Sequence, residues 1–463
     1  MATTTSPAAR RMLLLTGLGV FIVFLDTTIV NVAFETVRRA FDADLATLVW
    51  VLNAYTLVFA AVLIPAGRMS DTYGARRLFQ LGLCGFALAS AVCGLAPSPG
   101  VLIAARTVQG LFGAMIVPAS LTLLLRAFPR GQRAGAVSAW GAMGAVATAI
   151  GPTLGSLLIE YADWRLVFLV NVPVCLAAAA WGRRLLAPEP AAPRGGAPDP
   201  LGVLISGVGP ALLSFAVIYG PRIGWADPRV LGALVLGAAT VPWLVRRARR
   251  VARPAVDLTL FGIRNFVAST VVTLVFSVSF FANLLASLLF LQNVWHYSPL
   301  LAALAVSPAA LVTALVAPAA GGLAERFGYR QVFVAGAACY TVGAVLLATR
   351  LGPDSAWLAV WLPTLVLNGV GVGLALSTVN SAAAASLPED RFGVGIAVNN
   401  SFRQFGGVLG VSLLVAALGS AADLGAYRLA WWLLASVTVA SAVLYVAWHR
   451  DRAPDRELAL AGR

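Results

Sequence analysis

Apolar runs of roughly 20 residues, the length a helix needs to cross a bilayer core, recur along this sequence and constrain it more than any other feature. From Met12 to Trp448 there are fourteen of them, separated by short polar or Pro/Gly-rich connections. Such runs are too long and too uniformly apolar for barrel strands, so the backbone polar groups must be satisfied inside each helix. Charged residues make up only 11% of the chain, against about 25% in soluble proteins. The expectation is an all-α integral membrane protein with 14 transmembrane helices arranged 6+2+6. Residues 1–186 would form an N-terminal six-helix bundle and 187–263 a linker with two extra spans. Residues 264–449 would form a C-terminal six-helix bundle and 450–463 a tail. The first span, about 12–34, follows Arg10 and Arg11 like a signal peptide but is too long for one. Glu35, Arg38, Arg39, Asp42 and Asp44 would then form a short outer loop.

The net charge of +14 raises the question of nucleic acid, but the distribution argues against it. Roughly 24 arginines fall on the side of the N-terminus and roughly 7 on the other, which is the positive-inside pattern. That places both termini in the cytoplasm, as an even number of spans requires. The chain contains no lysine. It therefore lacks the lysine of a Walker A phosphate loop and that of a Schiff-base site. Cys84, Cys93, Cys175 and Cys339 all lie in apolar segments and read as buried small hydrophobes. His296 and His449 stand at span ends. Neither a catalytic triad nor a set of metal ligands is legible, so no enzyme activity, metal or cofactor is expected.

Three charges fall deep inside the runs: Asp26, Arg106 and Arg403. A charge in hydrocarbon is costly and is kept for a partner or a function. Asp26 lies about 14 residues, or about 21 Å, from the inner end of its helix, and Arg106 reaches a similar depth in the fourth span. An Arg nearby lowers a carboxyl pKa and burial raises it. The pair could take up and release a proton as hydration changes, or could be a static tie between the first and fourth spans.

Two inner connections share a pattern. Gly67-x-x-x-Asp71-x-x-Gly74-x-Arg76-Arg77 follows the second span. Gly322-Leu323-Ala324-Glu325-Arg326-Phe327-Gly328-Tyr329-Arg330 stands in the corresponding place of the second block. The repetition marks two related halves around a central path.

At these residues the chain resembles the major facilitator superfamily, whose signature loop is similar to Gly67 through Arg77. Leu25-Asp26-Thr27-Thr28-Ile29-Val30-Asn31-Val32-Ala33 resembles the first-helix motif of its fourteen-span drug:proton antiporters. Arg106-Thr107-Val108-Gln109-Gly110 resembles the fourth-helix motif, and Gly141 through Gly151-Pro152-Thr153-Leu154-Gly155-Ser156 the fifth-helix antiporter motif. Ser156 replaces a usual glycine, and Phe34-Glu35 the usual Leu-Pro after the first helix.

The resemblance implies a major facilitator fold and proton-coupled efflux of drugs, antibiotics or metabolites across the cytoplasmic membrane, by a monomer with the proton as coupling ion. Export of a specific endogenous metabolite and a transporter-like sensor are the alternatives. Asp26 and Arg106 would carry proton coupling. The resemblance makes the inner-loop set, Gly67, Asp71, Gly74, Arg76 and Arg77, a charge latch with Arg126 and the helix starting near Phe392. Gly141, Gly151, Pro152 and Gly155 would form the face sealing the two halves. Asn31, Asn53, Tyr55, Gln109, Asn283, Asn380, Asn399 and Arg403, with Phe280, Phe281 and Phe402, are candidates for lining a substrate cavity. The two extra helices are expected at the periphery.

Overall fold

The computed structural model describes residues 7–129, 132–186, 199–251, 254, 258–387, 392–419 and 423–450. These residues are helical almost throughout, with no strand among them. The helices are α1 (Pro7–Ala40), α2 (Leu45–Tyr73), α3 (Ala75–Gly94), α4 (Pro99–Ala127), α5 (Arg133–Tyr161), α6 (Leu166–Leu169), α7 (Asn171–Leu185), α8 (Pro200–Ile223) and α9 (Pro228–Ala248). They continue as α10 (Arg264–Asn293), α11 (Pro299–Phe327), α12 (Tyr329–Arg350), α13 (Leu362–Ala385), α14 (Phe392–Leu418) and α15 (Leu424–Trp448). The pair α6 and α7 makes one span, so 14 helical stretches are long and apolar enough to cross a membrane.

Local chemistry sets the helix starts. Asp44, Ser98, Asp199, Asp227, Ser298 and Asp423 each accept a backbone N–H of the first turn. Proline opens α4, α8, α9 and α11, where its missing N–H costs nothing.

Two helices run further than the sequence suggests. Helix α1 continues to Ala40, so Glu35, Arg38 and Arg39 lie on its last turns rather than in a loop. With Glu35 in place of proline nothing stops the helix. Arg38 donates to the Glu35 carboxylate at 2.9 and 2.7 Å and Arg39 at 3.0 Å, pairings that support it at these spacings. Helix α2 continues through Tyr73, so the expected inner loop from Gly67 is mostly helix. The break is the single residue Gly74, at φ 94°, a conformation only glycine adopts easily. Gly328, at φ 92°, makes the same break between α11 and α12.

The packing repeats in the same way. In the first set of helices α1 packs on α5, α4 on α2 and α3, and α3 on α7. In the second, α10 packs on α14, α13 on α11 and α12, and α12 on α15. The sets meet along two equivalent seams, α2 with α14 and α5 with α11. One hydrophobic cluster spans both sets on the arginine-poor face, from Ile29, Val37 and Leu52 to Leu288, Val306 and Leu418. Polar contacts between the sets include Asn53 donating to Ser412 at 3.0 Å and Leu300 N donating to Glu160 at 3.3 Å. At the other end of the α5–α11 seam, a side chain at Gly141, Gly321 or Gly322 would meet no atom within 4 Å. The two sets are thus closed against each other on the arginine-poor face.

Helices α8 and α9 form a hairpin. Helix α9 packs on α8 at the edge of the molecule, as expected. Helix α8 differs from that expectation, because it lies against both α2 and α14 and so covers one seam. Arg222 pairs with Asp44, and Arg247 bonds Asp199 at 2.7 to 2.9 Å. These contacts tie the hairpin to α2 and to itself.

A Cβ on Gly110 would clash with the Tyr55 backbone carbonyl, whereas one on Gly100 would meet nothing within 4 Å. Gly110→Ala should lower thermal stability in detergent by about 1–3 kcal/mol, with Gly100→Ala near wild type. Equal melting of both variants would contradict the close α2–α4 approach. The hydrogen bonds from Arg247 hold the Asp199 carboxyl below its ordinary range. A depressed carboxyl contributes stability above its unfolded value, about 3.9, and loses it as pH falls through the folded value. Asp199→Asn should therefore speed amide exchange at the start of α8 at neutral pH. The difference from wild type should disappear in acid.

Candidate functional site

Asp26 sits in the middle of α1 with 0% of its surface exposed, and Arg106 on α4 with 1%. The Arg106 Nη1 donates to Asp26 Oδ2 at 2.5 Å and to Gln109 Oε1 at 2.6 Å, and its Nε donates to the Val51 carbonyl at 3.2 Å. The guanidinium lies 4.2 Å from the centre of the Tyr55 ring, whose face attracts a cation. Gln109 Nε2 donates to Asp26 Oδ1 at 3.0 Å and to Ser90 Oγ at 2.7 Å. Asn171 Nδ2, from the first residue of α7, also donates to Asp26 Oδ1, at 2.8 Å.

Each piece follows from local structure. Arg106 and Gln109 are three apart on one helix and so share a face. Gly110 lets α4 lie against the α2 backbone, which brings Arg106 to Val51 and Tyr55. The backbone stays helical through Val170, so α6 and α7 form one span, and Asn171 on it presents its amide to Asp26. The network joins α1, α2, α3, α4 and α7.

The arrangement has a definite chemical bias. Asp26 accepts from three donors, and every one of them is an N–H. A proton on this carboxyl would remove the charge that these three N–H donors share, so protonation weakens the present bonding. An unpaired partner left behind would be expensive, since breaking a buried pair costs about 3–5 kcal/mol.

The sequence pattern does not point to Asn171 or Ser90, because neutral polar groups in apolar runs give a weak signal. The expected pair of Asp26 with Arg106 is in place. Several cavity candidates are not where expected. Tyr55 and Gln109 are enclosed with Arg106 inside the first set of helices, both 0% exposed. Asn283 is enclosed in the second set, accepting from the Trp431 indole at 3.1 Å. Their helix faces turn inward to satisfy buried polar partners, so they do not line a shared path. Asn31 donates back to the Thr27 carbonyl at 3.1 Å, and Asn53 bridges the seam to Ser412. Phe280 and Phe281 pack edge to face at 5.0 Å, and Phe402 packs near Phe261.

Asn399 donates to Asn380 at 2.7 Å. Both line a pocket of about 160 Å³ between α13 and α14, with Asn400 beside them. Arg403, one turn along α14 from Asn399, reaches toward α1, its guanidinium carbon 6.0 Å from the centre of the Phe24 ring.

The fifth-helix motif also differs from expectation. A Cβ on Gly151 would clash with Thr28 Oγ1, and one on Gly155 would fall 2.7 Å from Ile29 Cγ1. These glycines face α1 within their own set, not the other half, because α1 and α5 need close backbone approach to enclose Asp26. Pro152 is buried beside them. The pattern recurs at Gly406-Gly407-Val408-Leu409-Gly410, where Gly406 and Gly410 press on Leu274 and Val278 of α10. In the inner-loop set, Gly67 makes ordinary contact with Pro118, Arg76 and Arg126 both have partners, and Arg77 is exposed. The Asp71 side chain lies outside the described residues, so the expected latch does too. No group of three or more metal-ligating side chains occurs among the described residues.

Comparison with known proteins gives the family. The Major Facilitator Superfamily profile matches residues 16–411 and again 270–462. The chain is 35% identical over 414 residues to Multidrug resistance protein Stp of Mycobacterium tuberculosis, covering 88% of this chain and 75% of that protein. It is 36% identical over 397 residues to Puromycin resistance protein pur8 of Streptomyces alboniger, covering 85% and 78%. It is 31% identical over 407 residues to the Tetracenomycin C resistance and export protein of Streptomyces glaucescens, covering 87% and 74%. Among solved structures, an auto-inhibited peptide transporter of the POT family superposes with a TM-score of 0.70 at 18% identity, covering 96% of this chain and 98% of that one. A bacterial homologue of the human lysosomal transporter Spinster gives a TM-score of 0.65 at 17% identity, covering 96% and 95%. The protein is a multi-pass membrane transporter, not an enzyme, and belongs to the major facilitator superfamily.

Proposed function

We propose that this protein exports drugs, antibiotics or related metabolites from the cytoplasm in exchange for protons, by alternating access between its two sets of helices. The observation that carries the reading is the enclosed carboxylate of Asp26 with its N–H donors. In this reading the arginine-rich face and both termini lie in the cytoplasm, and the transporter works as a monomer. The relatives at 31–36% identity are named for multidrug resistance, puromycin resistance and tetracenomycin C export, which supports a drug as substrate.

Proton coupling rests on the exclusion between the two states of Asp26. With Arg106, Gln109 and Asn171 bound, the carboxylate ties α1 to α4 and α7. Taking a proton cancels the charge that holds these donors and so loosens the tie. Once α1 is freed, its contacts with Gly151 and Gly155 of α5 let it shift as a unit with that helix. Proton and drug then alternate because each favours a different packing of α1. Gly74 and Arg76, at the junction of α2 and α3, would latch the cytoplasmic side in one state.

Inverted membrane vesicles with an acidic interior should accumulate a fluorescent antibiotic analogue, and Asp26→Asn should reduce this at least tenfold. Because Asn leaves Arg106 without a countercharge, Asp26→Asn/Arg106→Gln serves as the companion variant and should be equally inactive but better folded. Accumulation at the wild-type rate in Asp26→Asn would overturn the assignment. Arg106→Lys should retain more transport than Arg106→Ala, since Lys keeps the charge but loses the planar fork. Wild-type transport in both would dismiss the pairing as part of the mechanism.

A further inference from the structure

We propose that Arg403 anchors an acidic group of the substrate, so that the transporter selects aromatic or polycyclic compounds bearing a carboxylate, enolate or phenolate. This rests on the exporter reading above and adds a substrate class to it. Arg403 lies at the middle of α14, 11 residues from its start and 15 from its end. Its Nε is buried without a hydrogen-bond partner, and no described residue accepts from its guanidinium. The nearest aromatic contact, Phe24 at 6.0 Å, supplies only a weak attraction at that distance.

No protein anion among the described residues is available to it. Asp26 is two residues from Phe24 on α1, but its oxygens are taken by Arg106, Gln109 and Asn171. Glu35 is held by Arg38 and Arg39 at the arginine-poor end of α1. Glu160 accepts from Leu300 N at that end of α5, and Glu325 lies near the opposite end of α11. Helices α10, α13 and α14 contain no acidic residue. An arginine at this depth without a protein counterion offers a planar fork of donors that matches a carboxylate.

The surroundings fit one end of such a molecule. The pocket one turn away holds Asn380, Asn399 and Asn400, and Asn399 Oδ1 is another buried atom without a partner. At about 160 Å³ it is smaller than the roughly 300–1,000 Å³ of a drug site, so it would take a polar fragment and leave the rest of the substrate between the two sets. The second half differs here from the first. Leu365 and Asn368 stand where the first half has Arg106 and Gln109, as Gly369 follows them in the way that Gly110 follows Gln109. The positive charge of the second half is thus moved to α14 and turned toward α1.

The test uses purified full-length protein in nanodiscs, with 2-naphthoate and 2-naphthamide as isosteric probes that differ in charge, extended to the three-ring anthracene pair. Binding is read by tryptophan fluorescence and by calorimetry. Wild type should prefer the carboxylate to the amide by roughly tenfold or more. Arg403→Gln should erase that ratio and Arg403→Lys should restore part of it. Two results would overturn the proposal: no carboxylate preference in wild type, or equal loss of both probes in Arg403→Gln, which would mark a structural role. Efflux of both probes under a pH gradient is measured alongside on wild type. Absence of efflux of either probe would count against the exporter reading, whereas efflux of both without carboxylate preference would count against Arg403 alone.

Discussion

The buried pair of Asp26 and Arg106 constrains the rest of the first half. Two charges removed from water are costly unless each is matched and hydrogen-bonded. Here Arg106 uses a carboxylate, an amide oxygen and a backbone carbonyl, and Asp26 uses three N–H donors. Meeting those needs fixes where α2, α4 and α7 pass α1. Gly110 allows α4 to approach Tyr55, and the α6–α7 span presents the Asn171 amide to the carboxylate. Gly151 and Gly155 let α5 close over the other side of α1. The packing of five helices therefore converges on one buried ion pair.

The two halves share a frame but not a charge plan. Gly74 and Gly328 break their helices at the same place, and the glycine pairs of α5 and α14 press on α1 and α10 alike. The first half holds its ion pair inside the bundle, where no substrate can reach it in this conformation. The second half has a single arginine on α14, directed at the first half. In the proposed reading, with the proton on Asp26 and the substrate's charge on Arg403, the two tasks do not compete for one group. The α8–α9 hairpin lies against both α2 and α14, so it contacts both sets of helices along one seam.

Much of this is legible in the sequence, and the parts that are not have physical reasons. Hydropathy is one-dimensional, so spans and the depth of Asp26 and Arg106 can be read along the chain. Which way a helix face turns cannot be read so, and Tyr55, Gln109 and Asn283 look like cavity residues in sequence although they serve buried partners. Asn171 and Ser90 carry no charge and give no warning in an apolar run. The extension of α1 past Phe34 has a cue in Glu35, three and four residues before Arg38 and Arg39. The glycine pair of α14 repeats that of α5 at identical spacing, a signal that direct comparison of the two halves brings out.

The central claim is that Asp26 takes up a proton, which loosens its N–H bonds, when drug leaves. It is tested most directly by proton release on drug binding, measured with a pH-sensitive dye in weakly buffered detergent solution. Wild type equilibrated at mildly acidic pH should release protons when the exported antibiotic analogue is added, and Asp26→Asn/Arg106→Gln should bind the drug and release none. Release of equal size from that variant would show that the coupled proton resides elsewhere and would contradict the assignment of Asp26.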